Sequence, residues 1–263
     1  MSTNQHGHWV WYELLTSDPD AAQAFYEKVV GWTIAVAELN GESAPMDYRI
    51  LTAQDGVPAG GLMKIPDGAP MPPAWLGYLG VHDVDAAAKA IVDEGGTLYM
   101  PPMDLEGVGR FAFLADPQGV HFYVMRGASD EPSTAYQRRS LGHCSWNELI
   151  APDDHAALHF YGTLFGIVRD GVMPMGEMGD YTFLKSSGGD EPFGAVMRQQ
   201  PNQPVPAWVF YFRVADIDVA VETVKAEGGQ VLMGPMEVPG GEKVILILDP
   251  QGAVVGLVAP AKG

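Results

Sequence analysis

The sequence predicts an α+β protein of two tandem domains, each built from two β-α-β-β-β units. One observation is a long-range repeat: Glu13 and Glu148 lie 135 positions apart (148 − 13), each within a Trp-x-Glu-Leu segment. A second is the matching pair of Asp-Pro-Gln-Gly segments, beginning at Asp116 and Asp249, at an offset of 133. A third is the order of local patterns, in which a strand with period-two alternation precedes a helix and three short strands. The repeat therefore predicts a duplicated domain.

The first unit begins with a strand over residues 9–15. A helix follows, with Asp18 as its N-cap and Pro19 in its first turn. Short strands follow at 32–37, 47–52 and 58–63, separated by turn-forming residues. The helix carries an apolar stripe with helical spacing. The stripe consists of Ala22, Phe25, Tyr26 and Val29.

The second unit repeats this order with a strand at 75–81, a helix at 83–94 and strands near 97–100, 110–115 and 121–125. Asp116-Pro117-Gln118-Gly119 has the residues of a tight turn between the last two strands. A polar segment without periodicity then separates the halves. We therefore expect a first domain over 1–126, a linker over 127–142 and a second domain over 143–263.

Composition excludes several classes of function. The chain of 263 residues has 33 acidic and 15 basic residues, and the net charge of −18 repels nucleic acids and anionic membranes. No apolar run approaches the roughly 18 residues that span a bilayer. The single Cys144 forms no internal disulfide, and the N-terminus lacks the pattern of a signal peptide. These features predict a cytoplasmic protein.

The order strand, helix, three strands, four times over, resembles the vicinal oxygen chelate superfamily, which includes glyoxalase I, extradiol dioxygenases and bleomycin resistance proteins. The features that carry the resemblance are the Phe-Tyr pair in the first helix of each half and the Asp-Pro-Gln-Gly turn before each last strand. The paired Trp-x-Glu-Leu and Pro-Ala-Trp segments are similar to those of tandem two-domain glyoxalase-like proteins. The resemblance implies two curved mixed sheets, each with a ligand cleft on its concave face.

The resemblance also implies a divalent metal held by His or Glu side chains from the first, fourth, fifth and eighth strands of each domain. Here those positions hold residues that are poor metal ligands. We therefore expect no metal and no other cofactor. In the first half the positions are Trp11, Gly61-Leu62, Leu76 and Tyr123; in the second they are Trp146, Gly194-Ala195, Val209 and Gly256.

Alternation along the strands then assigns the remaining side chains of each concave face. Aromatic rings with a few polar groups suit a small, partly apolar molecule. We expect Arg213 either to face a ligand carboxylate or phosphate or to pair with Glu148, and Gly256 to leave room for the ligand. The predicted ligand-binding residues are Trp11, Tyr48, Tyr78, Trp146, Glu148, Tyr181, Tyr211 and Arg213.

The leading hypothesis is a metal-independent binder of a small molecule, as a monomer with pseudo-dimeric domains or as a homodimer. The alternative is a glyoxalase-like lyase or isomerase with a glutamate as general base, with or without a displaced metal site. In that case Glu13 is the candidate base, His121 relays the proton and Tyr123 stabilises an oxyanion. A purely structural role for Glu13 and Glu148 is the competing explanation of their repetition.

Overall fold

A computed structural model describes residues 6–39, 42–43, 47–201 and 205–261. It confirms the α+β class, with one eight-stranded mixed sheet formed by each half of the chain. The helices are α1 (Pro19–Val29), α2 (Val84–Asp93), α3 (Asp154–Phe165) and α4 (Ile217–Ala226), with one 3₁₀ turn at Gly176–Met178.

The described residues of the first half form ten strands. They are β1 (Trp9–Thr16), β2 (Thr33–Val36), β3 (Glu38–Leu39), β4 (Glu42–Ser43), β5 (Tyr48–Thr52), β6 (Pro58–Lys64), β7 (Ala74–Gly80), β8 (Thr97–Leu105), β9 (Gly109–Ala115) and β10 (His121–Gly127). The sheet order is β2-β5-β6-β1-β7-β10-β9-β8, and β3 and β4 form a separate ribbon.

The second half supplies eight strands in the same pattern. They are β11 (Cys144–Ala151), β12 (Ile167–Pro174), β13 (Asp180–Ser186), β14 (Gly194–Arg198), β15 (Ala207–Arg213), β16 (Gln230–Glu237), β17 (Lys243–Leu248) and β18 (Val254–Ala259). Their order, β12-β13-β14-β11-β15-β18-β17-β16, matches that of the first sheet strand for strand.

Two elements differ from the sequence prediction. The ribbon of β3 and β4 lies where only turns were expected. Strand β8 continues beyond Met100 to Leu105, through two prolines, with register shifts against β9. A proline removes a ladder donor, which an edge strand tolerates because one of its sides has no partner strand. Since β8 is the last strand of its sheet, the prolines do not end it.

The compact units of the chain each take segments from both sequence halves. Unit I consists of the described residues up to Val10 together with Leu76–Ser133 and Asn147–Val209. Unit II consists of Trp11–Trp75, Thr134–Trp146 and the described residues from Phe210 onward. Each unit thus joins one β-α-β-β-β unit of the first half to one of the second, so α2 and α3 pack together in unit I and α1 and α4 in unit II.

The helices begin and pack as their sequences dictate. Asp18 accepts a hydrogen bond from the Ala21 amide and caps α1, and Asp153 does the same for α3 through Ala156. The apolar stripe of α1 is buried as expected. Beneath the helices lie the sheet residues assigned to the convex face, all nearly or fully buried: Phe122, Val124, Phe210, Phe212 and Val214.

The core of unit II contains a chain of three polar groups. The Trp75 indole donates to the Tyr26 hydroxyl at 3.0 Å, and that hydroxyl donates to Asp249 Oδ2 at 2.9 Å. The other oxygen of Asp249 accepts the amides of Gln251, Gly252 and Ala253, which closes the turn. Every buried polar group in this Trp-Tyr-Asp chain therefore has a partner.

Unit I repeats the same chain with its own residues. The Trp208 indole donates to the Tyr161 hydroxyl at 3.0 Å, and Tyr161 donates to Asp116 Oδ2 at 3.2 Å. Asp116 Oδ1 accepts the amides of Gln118 and Val120. Burial raises the pKa of both Asp116 and Asp249, against the opposing effect of these hydrogen bonds. The Phe-Tyr, Pro-Ala-Trp and Asp-Pro-Gln-Gly motifs therefore meet in one buried hydrogen-bonded chain in each unit.

We expect Tyr26→Phe and Tyr161→Phe each to lower the free energy of unfolding by about 1–3 kcal/mol, because each leaves a buried indole and a buried carboxylate short of one partner. Chemical denaturation followed by circular dichroism measures the change. Tyr99→Phe is the matched control, since Tyr99 is 56% exposed. Equal stability of all three variants would contradict the assignment.

Candidate functional site

Four aromatic rings form a continuous surface on one face of strands β7, β10 and β9 in unit I. We call Tyr78, Phe111, Phe113 and Tyr123 the aromatic wall. Tyr78 and Tyr123 are paired across neighbouring strands and stack with centroids 4.2 Å apart and planes 6° apart. Phe113 lies 4.7 Å from Tyr123, and Phe111 lies 6.3 Å from it. The two tyrosines are buried, whereas the two phenylalanines on the neighbouring strand are partly exposed.

The register explains why these rings share a face. Tyr123 is opposite Phe113 on β9, and Phe113 is opposite Met100 on β8. The alternate residues Leu114 and Phe122 are fully buried on the other face. The alternation Phe111-Ala112-Phe113 in the sequence was the signal for the two phenylalanines, which the sequence analysis did not assign to the site.

His121 lies at one end of the aromatic wall. Its ring stacks on Phe113 at 5.6 Å and lies 5.2 Å from Tyr99. Burial lowers the pKa of His121, and the attraction of Asp116 only partly opposes this. His121 is therefore a neutral imidazole at neutral pH, able to donate or accept one hydrogen bond.

The equivalent strands of the second sheet, in unit II, carry an aliphatic surface instead. Tyr211 is opposite Gly256, Gly256 is opposite Leu246, and Leu246 is opposite Met233. A Cβ on Gly256 would lie 2.2 Å from Tyr211 Cδ1. The expectation that Gly256 leaves room for a ligand is therefore wrong, because the ring of Tyr211 occupies that space.

A second glycine at a metal position is also covered by a tyrosine. The Tyr48 hydroxyl accepts a hydrogen bond from the Trp11 indole at 2.8 Å in unit II. A Cβ on Gly61 would lie 2.0 Å from that hydroxyl. Glu13 is paired with Gly61 in the strand register and is only 3% exposed.

In unit I the equivalent tyrosine has a different partner. Tyr181 is opposite Met197, as Tyr48 is opposite Met63, so the two tyrosines occupy matching places. The Tyr181 hydroxyl donates to Glu148 Oε2 at 2.7 Å, and both side chains are half-buried. A half-buried carboxylate with a phenol donor remains reachable by a small molecule, whereas Glu13 is nearly sealed.

Trp146 and Arg213 belong to unit II. The guanidinium of Arg138 lies 5.3 Å from the centre of the Trp146 ring, a cation–π distance. Arg213 is 5% exposed and forms an ion pair with Glu242. The expected pairing of Arg213 with Glu148 is therefore wrong; Glu148 is the partner of Tyr181, and Arg213 is held at the end of its own strand.

The side chains at the family's metal positions do not fit a metal. Trp11 is bonded to Tyr48, Gly61 and Gly256 lie under tyrosine rings, and Tyr123 is stacked on Tyr78. Leu76 and Val209 are buried and offer no lone pair. Across the part of the chain that the structure describes, no three His, Cys, Asp or Glu side chains are grouped as metal ligands.

Comparison with known proteins agrees with this fold and with the duplication. The family model of the Glyoxalase/Bleomycin resistance protein/Dioxygenase superfamily matches residues 8–124 and again 140–257. The chain therefore belongs to this superfamily, as a tandem member with two copies of the domain. No helix among the described residues has the length and apolar character to span a membrane.

Two relatives match almost the whole chain. CFP32 of Mycobacterium tuberculosis, classed by its name among the glyoxylases, is 32% identical over 254 residues, covering 95% of this chain and 94% of that protein. DnrV of Streptomyces peucetius, named as an anthracycline biosynthesis protein, is 28% identical over 273 residues, with 96% and 93% covered.

Solved structures share the fold at low identity. The Mn(II)-bound glyoxalase from Novosphingobium aromaticivorans superimposes with a TM-score of 0.62 at 18% identity, covering 98% of this chain and 83% of that one. The 2,3-dioxygenase LapB from Pseudomonas gives 0.63 at 13% identity, with 99% and 94% covered. At this identity the likeness shows the fold alone.

We expect Gly61→Ala and Gly256→Ala each to destabilise the protein by about 1–3 kcal/mol, because the added methyl group meets a tyrosine in a filled space. Gly171→Ala is the matched strand control, since its nearest neighbour would be Phe183 Cδ2 at 3.8 Å. Thermal unfolding measures the difference. In a Tyr211→Ser background the penalty for Gly256→Ala should shrink; an unchanged penalty would show that the ring does not fill the space.

Proposed function

We propose that the protein binds a small, flat, largely apolar aromatic molecule on the aromatic wall of the first sheet, without a metal at the positions that the family uses. The observation that carries the proposal is the stack of Tyr78 and Tyr123 beside two partly exposed phenylalanines on the next strand. Aromatic rings favour offset or edge contacts with a further ring at similar spacing. A flat ligand would extend the stack that the protein has begun.

The surroundings of the aromatic wall suit such a ligand. Met100 and Met103 continue its rows onto β8, and methionine adapts to irregular apolar shapes. His121, as a neutral imidazole, offers one donor and one acceptor at the edge. Two relatives carry names from anthracycline biosynthesis, and an anthracycline is a fused-ring aromatic molecule.

The ligand class can be tested with quinizarin, a dihydroxyanthraquinone. We expect saturable quenching of intrinsic fluorescence on titration. Phe113→Leu keeps an apolar side chain but removes one ring, so affinity should fall roughly three- to tenfold, as expected for the loss of one ring contact.

Leu246→Ala is the matched control for this measurement, because Leu246 lies on the aliphatic surface of the second sheet in the place equivalent to Phe113. It should bind quinizarin as the unmodified protein does. Equal losses in both variants, or no saturable binding at all, would refute the aromatic wall as the binding surface.

Metal independence is supported by the side chains at the family positions, which are bonded or packed among themselves. We expect elemental analysis of protein purified without chelators to find no stoichiometric zinc, manganese, iron or nickel. Quinizarin affinity should be unchanged after dialysis against a chelator. About one metal ion per sequence repeat, with affinity lost on chelation, would overturn this part of the proposal.

The second candidate is a glyoxalase-like lyase or isomerase, favoured by the name of the CFP32 relatives and by the Glu148–Tyr181 pair. A half-buried carboxylate with a phenol at 2.7 Å has the parts of a general base and its orienting donor. For Glu13, with His121 and Tyr123 as partners, the 3% exposure of the carboxylate argues against ready contact with a substrate. An assay for lactoylglutathione formation separates this candidate from simple binding.

A further inference from the structure

Unit II contains a shallow, open depression of about 520 Å³ that the sequence analysis did not find. It lies where the segment before β11, the end of β15, the turn before β17 and the end of β18 meet. Three apolar residues and three charged residues line it. They are Leu141, Ala215 and Pro260, with Arg139, Arg213 and Glu242.

The charge of this lining is opposite in sign to that of the chain as a whole. Two arginines against one glutamate give the depression a net charge of +1, whereas the whole chain carries −18. Arginine presents a planar fork that matches the geometry of a carboxylate. The lining thus has the chemistry to attract an anion locally, despite the repulsion of the distant charges.

The backbone and side chain of Arg213 are fixed before any ligand arrives. Its Nε donates to the Arg138 carbonyl at 3.0 Å and lies 3.3 Å from Ser145 Oγ. Its backbone amide donates to the His143 carbonyl, and its own carbonyl accepts from the Gly142 amide. A guanidinium that is 5% exposed needs an anion beside it, because burying an unpaired charge is costly.

Glu242 supplies that anion from a tight turn. Its carboxylate contacts Arg213 Nη2, and its side chain is 31% exposed. The two preceding residues, Gly240 and Gly241, have φ of 100° and 81°, a region that side chains disfavour. The turn is closed by hydrogen bonds between Val238 and Glu242 and between Gly241 and Val238. Because the Glu242 side chain is partly exposed, rotation about its own torsions would take the carboxylate away from Arg213 while the turn keeps its hydrogen bonds.

We propose that this depression is a second binding site, for a small organic carboxylate with a short apolar tail, and that Glu242 occupies the carboxylate position when no ligand is bound. The ligand carboxylate replaces that of Glu242 on Arg213, and Arg139 lies on the same lining. The tail lies against Leu141, Ala215 and Pro260. This site is independent of the proposed function and uses none of the residues of the aromatic wall.

The test uses hexanoate as the probe and hexanamide as its neutral counterpart, followed by NMR through the Nε–Hε resonances of the arginines. We expect saturable hexanoate shifts at Arg213 and none with hexanamide. Glu242→Gln removes the internal competitor, so hexanoate affinity should rise at least fivefold. Arg139→Gln should lower it at least threefold.

Glu237→Gln is the matched control, since it makes the same charge change on the same hairpin at an exposed position. It should leave hexanoate affinity within twofold of the unmodified protein. Should Glu242→Gln fail to fold, Glu242→Asp keeps the charge with a shorter reach and should bind hexanoate more tightly than the unmodified protein.

Three results would overturn the proposal. One is the absence of saturable hexanoate shifts at Arg213 in any folded variant. Another is equal binding of hexanamide, which would reduce the site to apolar adsorption. The third is an equal gain in Glu237→Gln, which would mean that hexanoate responds to net charge alone. Inorganic phosphate is run alongside, and stronger binding of phosphate would replace the carboxylate with a tetrahedral anion as the preferred class.

Discussion

In each unit, the hydrogen bonds of one buried tyrosine hydroxyl are the interactions on which the rest of the structure depends. Tyr26 comes from the first helix of one sequence half, and its acceptor Asp249 closes the last turn of the other. The hydroxyl has one donor and one acceptor role, and the Trp75 indole and Asp249 use both. Since a buried polar atom without a partner costs as much as a lost hydrogen bond, the three residues specify one another's positions. Unit I contains the same three residue types in the same hydrogen-bonded arrangement. The duplicated motifs therefore specify the packing of both units.

That constraint gives the Phe-Tyr, Pro-Ala-Trp and Asp-Pro-Gln-Gly motifs a structural role. An aspartate opening a tight turn before a strand has the pattern of a surface corner, yet burial raises the pKa of Asp116 and Asp249 and a tyrosine holds each of them. The equivalent strand surfaces of the two sheets differ, since one carries Tyr78, Tyr123 and Phe113 and the other carries Tyr211, Gly256 and Leu246.

The space beside two glycines explains which side chains the concave faces can carry. At Gly61 and Gly256, two positions that the resemblance predicts for metal ligands, a tyrosine ring fills the space that a side chain would need. A metal-binding side chain and the tyrosine ring therefore cannot occupy either place together. The polar groups that remain are bonded to their neighbours, as Tyr181 is to Glu148 and Arg213 is to Glu242. A ligand at either of these groups would therefore compete with contacts that the protein already makes.

The sequence by itself determined the class of fold, the helices with the Asp18 cap of the first, most strands and the face on which each strand residue lies. These are local properties, set by alternation, by helical spacing and by the turn chemistry of Asp-Pro-Gln-Gly. It also placed Tyr78 and Tyr123 on one face, because strand alternation is strict. It could not show that Tyr211 covers Gly256 or that Arg213 selects Glu242 over Glu148, because a long side chain reaches several neighbours and the choice depends on which strand ends meet. Tertiary structure alone decided those partners, and with them which carboxylates and cations are left within reach of a ligand.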